Sequence, residues 1–198
     1  MSETTSNSER DQTSSDQAGE RPTGRVRKGL VIINTGDGKG KTTAALGMMT
    51  RAWGRDMKVT AVQFIKQPKM KYGEQMAAEK MGIEITPTGR GFTWTSEDLS
   101  EDAALAKHGW DLAKERMLSG DYDLVILDEF TYALRYGWIE IAEVIDVLSQ
   151  RPEQQHVVIT GRNAPEELVD FADLVTEMKL IKHPYREQGI KAQRGVEF

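Results

Sequence analysis

The stretch NTGDGKGKTT, Asn34 to Thr43, sets three glycines and two lysines between an apolar run and a helix-like segment. Glycine backbone can turn successive N–H groups inward and form a concave anion site. A helix starting directly afterwards adds partial positive charge at its N-terminus. The candidate phosphate-binding residues are Gly36, Asp37, Gly38, Lys39, Gly40, Lys41, Thr42 and Thr43. In that context Lys41 would reach a phosphate and the Thr42 hydroxyl would sit on Mg²⁺. Lys39 adds a second cation beside a polyanion. The spacing departs from the usual phosphate loop, which places a glycine five residues before Gly40, where this chain has Thr35. Its first glycine, Gly36, comes one place later, which leaves open which phosphate lies deepest. A plain glycine turn would not account for paired lysines followed by two threonines.

A second constellation closes another apolar run. LVILDE (124–129) ends in Asp128 and Glu129. Two acids at a strand exit are common alone. Beside a phosphate loop they form a Walker-B-like pair that places carboxylates near Mg²⁺, with Mn²⁺ as an alternative. Because Mg²⁺ keeps several waters, one of the two acids is expected to hold a metal-bound water. Thr42, Asp128 and Glu129 are thus the candidate metal set. In TGRGFTWTSED (88–98), Phe92 and Trp94 stand two apart among glycines and polar residues. On extended backbone they face one side. Either they cover a large flat ligand or they tuck into the core. Arg51, in the segment after the loop, and Arg162, in ITGR, are lesser candidates for the nucleotide side. KQPKMK (66–71) is basic but lacks the arginines of a kinase lid, and reads as a solvated loop.

These residues need elements to hold them. GLVIINT (29–35), KVTAVQFI (58–65), IEITP (83–87), YDLVILDE (122–129), QHVVITG (155–161) and DLVTEMKLIK (173–182) read as strands. KTTAALGMMTRAWG, YGEQMAAEKMG ending at Gly82, the segment 96–120, IEIAEVIDVLSQRP stopped near Pro152, and EELVDFA read as helices. In 96–120 the stripe is Leu99, Ala103, Ala106, Trp110, Ala113 and Met117. Continuously apolar strands alternating with helices indicate a parallel sheet covered on both faces. The expected fold is an open, doubly wound, mostly parallel α/β sheet of the RecA-like phosphate-loop NTPase type. Ligands of such sheets bind beyond the carboxyl ends of the strands.

The 198 residues suit one domain. Apolar content is 38%, and the deficit is concentrated in residues 1–28. That segment, rich in Ser, Thr, Gln and charge, reads as a disordered tail, leaving 29–198 as the domain. The tail has no apolar core of a signal peptide, and no stretch is apolar enough to span a bilayer, so no membrane partner is expected. A net charge of −5 argues against broad nucleic-acid binding. The absence of cysteine excludes disulfides, thiolate zinc sites and thiol redox chemistry. His108, His156 and His183 fall in no metal-ligand spacing. A cytoplasmic location is the expectation.

No Asn-Lys-x-Asp base-reading motif of a GTPase is present. Instead NTGDGKGKTTAA, VQFIK, GFTW, DLVILDEFTYAL, VVITGR and the closing KHPYREQGIKAQRGVEF together resemble the phosphate-loop type of ATP:corrinoid adenosyltransferase, from about Gly29 to Phe198. The resemblance implies that MgATP and a cobalamin-type corrinoid bind. Co(I), made by an external electron donor such as a flavoprotein, attacks the 5′ carbon of ATP, and triphosphate leaves. It implies a triphosphate held in the reverse sense to ordinary phosphate-loop ATPases. It also implies that Phe92 and Trp94 displace the lower axial ligand of cob(II)alamin, and that the enzyme is a homodimer. The catalytic residues are then Lys41, Phe92 and Trp94. The nucleophile belongs to the corrinoid, so no activated Ser, Cys or His is required. Lys39, Lys41, Mg²⁺ and the N–H groups supply the stabilisation a triphosphate leaving group needs. Two rivals predict other outcomes: a small-metabolite kinase or ATPase releases ADP and phosphate, and a non-catalytic carrier consumes nothing.

Overall fold

The computed structural model describes residues 27–70, 72–91 and 99–197. Phe92 and Trp94, the start of the 96–120 segment, Lys71 and the segment 1–26 lie outside the described residues.

The apolar runs become six strands: β1 (Val31–Thr35), β2 (Val59–Gln63), β3 (Glu84–Pro87), β4 (Leu124–Asp128), β5 (His156–Thr160) and β6 (Leu174–Glu177). They pair in the order β3-β2-β4-β5-β1-β6, and every pairing is parallel. Strands β2, β4, β5 and β1, which occupy the middle, are almost wholly buried, as two-sided coverage demands. The edge strand β6 is exposed throughout.

Helices α1 (Lys41–Trp53) and α2 (Gly73–Met81) cover one face, and α3 (Leu99–Ser119), α5 (Ile141–Gln150) and α6 (Glu166–Phe171) the other. The chain moves outward from β1 to β3 with helices on the first face. It returns through β4 and β5 to β6 with helices on the second. Right-handed crossovers require that switch of face when the direction reverses. On the first face Ala45, Met49 and Ala52 of α1 pack on Ile32, Ala61, Ile126 and Val158. On the second, Ala106, Trp110, Ala113 and Met117 of α3 pack on Val62, Val125 and Leu127. Those four belong to the expected helical stripe. Trp110 stacks on Phe130, ring centroids 5.3 Å apart, and its Nε1–H donates to Glu143 at 2.9 Å.

Three expectations change. The last strand stops at Glu177 rather than running to 182, because the backbone of Met178 and Lys179 turns across the loop that follows β1. Two short helices, α4 (Thr131–Arg135) and α7 (Pro184–Gln188), are too brief to leave a periodic signature. Strand β4 ends at Asp128, and Glu129 adopts a left-handed conformation, φ 59°, instead of continuing it.

Candidate functional site

The site lies at the carboxyl ends of the middle strands, where the doubly wound topology leaves a crevice. Gln63 pairs in register with Asp128, and Asn34 with Thr160. Together they make a polar row across four adjacent strands, on the face that carries the N-terminus of α1. All four are buried.

Asp128 is the hub of that row. Its Oδ1 accepts from Thr42 Oγ1 at 2.7 Å and from Thr160 Oγ1 at 2.8 Å. Its Oδ2 accepts from Gln63 Nε2 at 3.0 Å. Thr160 Oγ1 in turn accepts the Glu129 N–H at 2.9 Å, so one hydroxyl fixes both acids. The Thr42 contact joins residues 86 apart in sequence and brings the start of α1 against the end of β4. A carboxylate with three donors is held in one orientation.

Glu129 differs from its neighbour. Its Oε2 is buried and finds no hydrogen-bond partner. Burial, then the charge of Asp128, pushes its carboxyl up to about 7 against the opposing pull of Lys41, Lys66 and Arg162. A left-handed non-glycine residue costs energy, and such strain gathers at functional sites.

The loop residues come together as their spacing requires. Gly40, at φ 111°, caps α1, and Lys41 is the first helical residue. Lys41 Nζ donates to the carbonyls of Gly36 at 2.7 Å and Gly38 at 2.6 Å. An ammonium has three donors, so one remains for a ligand. Burial lowers the Lys41 pKa, and nearby Glu129 opposes the shift. Lys39 forms an ion pair with Glu197, close to the end of the chain. The Gly38 N–H does not line the anion nest, because it donates to the Met178 carbonyl at 2.6 Å. Gly38 therefore contributes room rather than a donor.

The two arginines part company. Arg162 is close enough for its charge to act on Glu129 and Lys41. Its carbonyl accepts from Thr131 Oγ1 at 2.8 Å, which ties the β5 exit to α4. Arg51 sits exposed in the last turn of α1, about 15 Å along the helix from Lys41 at the usual rise per residue. It is removed from the site.

Sequence reasoning missed Gln63, Thr160 and Lys66. Gln63 and Thr160 end apolar strands, where a single polar residue at the carboxyl edge is the available signal. Lys66 corrects the expectation of a solvated loop: it pairs with Glu74, and its ammonium lies 4.8 Å from the Tyr72 ring centroid.

Among the described residues no group of three or more His, Cys, Asp or Glu is arranged to hold a metal. The donors present nevertheless fit Mg²⁺. That ion prefers oxygen, takes few protein ligands and completes its shell with phosphate and water. The Thr42 hydroxyl and the unpartnered Glu129 oxygen are such donors, while Asp128 orients Thr42.

Residues 27–198 match the profile of the family described as ATP:corrinoid adenosyltransferase BtuR/CobO/CobP. The chain is 49% identical over 175 residues to a corrinoid adenosyltransferase of Sinorhizobium sp, covering 86% of this chain and 81% of that protein. It is 42% identical over 176 residues to the corrinoid adenosyltransferase of Pseudomonas aeruginosa, covering 88% and 86%. It is 40% identical over 171 residues to that of Escherichia coli K12, covering 86% of each. Among solved structures, the flagellar accessory protein FlaH of Methanocaldococcus jannaschii superimposes with a TM-score of 0.54 at 11% identity, over 77% of this chain and 72% of that one. At that identity the likeness concerns the fold alone.

Proposed function

The chain belongs to the ATP:corrinoid adenosyltransferase family, and we propose from its geometry how its residues carry out adenosyl transfer. The reaction moves the 5′-deoxyadenosyl group of ATP to the cobalt of a corrinoid, in the synthesis or salvage of adenosylcobalamin. A Co(I) electron pair forms the Co–C5′ bond, the C5′–O bond breaks, and its electrons leave on the triphosphate. The protein's task is to bind the triphosphate, stabilise the charge it gains, and aim C5′ at cobalt.

The loop between β1 and α1 holds the triphosphate. Lys41 shifts from the Gly36 and Gly38 carbonyls toward phosphate oxygen, and Lys39 adds charge from the rim. Thr42 and Glu129 would hold Mg²⁺, with Asp128 fixing Thr42. The ion, when bound, neutralises phosphate charge as a Lewis acid. Arg162 supplies a further positive field at the same edge. Phe92 and Trp94 exclude a lower axial ligand from cob(II)alamin, which makes its reduction easier. One observation supports this reading best: the 2.7 Å contact of Thr42 with Asp128 joins the phosphate loop to the acid pair.

The reading extends to a homodimer in the cytoplasm, served by a separate electron donor such as a flavoprotein, without nucleic-acid or membrane partners. Exposed Leu174, Val175, Ile181 and Tyr185 offer a dimer apolar surface to bury. Among the described residues no helix is long and apolar enough to cross a membrane. The sequence carries no cysteine to supply electrons itself.

Incubation with MgATP and chemically reduced cobalamin tests the core of the proposal. Phosphorus NMR is expected to show inorganic triphosphate as the cobalt spectrum changes to the alkylated form. ADP with orthophosphate would replace adenosyl transfer by simple hydrolysis. Lys41→Ala is expected to lose most activity. Phe92→Ala and Trp94→Ala are expected to fail with Co(II) and a protein reductant yet work when Co(I) is supplied. Equal losses in both assays remove the axial-ligand role.

A further inference from the structure

We propose that Lys66 is a further substrate-binding residue, a cation that grips the triphosphate from the side of the crevice opposite the phosphate loop. The inference rests on the triphosphate site described above. Lys66 follows β2 by three residues, and β2 lies directly beside β4. Neighbouring strands are about 4.8 Å apart, so Lys66 leaves the sheet one strand away from Asp128. Lys39, Lys41 and Arg162 approach from the β1 and β5 side.

A continuous polar path connects Lys66 to the acid pair. Lys66 Nζ pairs with Glu74 Oε1. The same oxygen faces Gln63 Nε2 at 3.4 Å, and that nitrogen donates to Asp128 Oδ2 at 3.0 Å. Gln63 Oε1 accepts from Gln75 Nε2 at 2.9 Å, and Gln75 Oε1 accepts from the Tyr72 N–H at 3.3 Å. The first turn of α2 thus holds Lys66 on the polar path that ends at Asp128. The Tyr72 ring flanks the ammonium, within the range of a cation–π contact.

A structural partner for Glu74 alone would not need this setting. Lysine is seldom buried, yet the Lys66 side chain is only 20% exposed. Burial lowers the pKa of its ammonium, and the charges of Asp128 and Glu129 oppose that shift. It therefore lies within the field of Asp128 and Glu129, the acids proposed at the metal site. A long flexible stem ending in a point charge can leave Glu74 for a phosphate oxygen without moving the backbone. A polyanion bound beside the acid pair at the end of β4 gains from cations on both flanks.

Calorimetric titration of the full chain with inorganic triphosphate and Mg²⁺ reads this directly. Lys66→Met is expected to weaken triphosphate binding by about tenfold or more, the cost of one charge-assisted contact. Lys66→Arg should recover part of the loss, and Lys114→Ala, at a half-buried lysine on α3 paired with Glu143, should change nothing. Wild-type affinity in Lys66→Met overturns the assignment. Should Lys66→Met fail to fold, Glu74→Gln releases the ammonium and is expected to tighten triphosphate binding; equal or weaker binding overturns it. Lys41→Ala separates the two readings. If Lys66→Met alone keeps full affinity, only the Lys66 role falls. If Lys41→Ala keeps it too, the triphosphate site itself falls.

Discussion

Glu129 carries two costs that its neighbour avoids. Its backbone is left-handed, and one carboxylate oxygen is buried without a partner. Its folded pKa, about 7, lies above the ordinary value of 4.5. The folded chain therefore keeps a proton that the unfolded chain gives up between those pH values. Stability from this group is fully present below pH 4.5 and declines as pH rises through 7, by at most about 3 kcal/mol. Thermal melts of the metal-free protein are expected to show that decline, and Glu129→Gln to flatten it. A decline of the same size in Glu129→Gln would assign the effect to another group. Binding Mg²⁺ should reverse the trend, since the ion takes the carboxylate form. Asp128 and Glu129 were legible in sequence because two acids end an apolar run. Gln63 and Thr160 were not, because their meaning comes from strands 65 and 32 residues away meeting Asp128.

The element that shapes the phosphate loop is the exit of β6. Glycines 36 and 38 read in sequence as room for phosphate, and in the structure they are also room for protein. A Cβ on Gly38 would lie 2.6 Å from the Met178 carbonyl oxygen and 2.8 Å from that of Lys179. A Cβ on Gly36 would meet the Met178 oxygen at 2.6 Å, and φ there is +94°. Backbone atoms cannot yield as a flexible side chain can. Gly38→Ala is expected to cost about 1–3 kcal/mol by overpacking and to loosen the loop around its ligand. Gly47, in the exposed middle of α1, has nothing within 4 Å of such a Cβ. Gly47→Ala should instead stabilise by about 0.5–1 kcal/mol through helix propensity. Denaturant unfolding of both variants checks the contrast, and equal effects would remove the steric explanation. Local spacing announces that glycine is needed. Which distant segment presses on it is settled only when β6 pairs with β1.

For the molecule as a whole, the doubly wound sheet was legible because its buried strands are continuously apolar. The strand order and the path of the C-terminal segment leave no such periodic trace. That segment reaches back across 158 residues to the phosphate loop through the ion pair of Lys39 with Glu197. His183 caps α7 by accepting the Tyr185 N–H at 3.2 Å, and its own N–H donates to Glu187 at 2.7 Å. The ion pair sets a carboxylate on a cation meant for phosphate, so ATP and Glu197 compete for Lys39. Lys39 is half exposed, and exposed pairs contribute about 0.2–1 kcal/mol. Glu197→Gln is therefore expected to leave the melting temperature almost unchanged while tightening MgATP by about 1.5- to 5-fold at low salt. The gain should shrink at high ionic strength, where the pair is already screened. Titrations at two salt concentrations decide it. Unchanged affinity at low salt would mean that the Glu197 carboxylate does not compete with phosphate, and Lys39 would then lose its place among the groups that bind ATP.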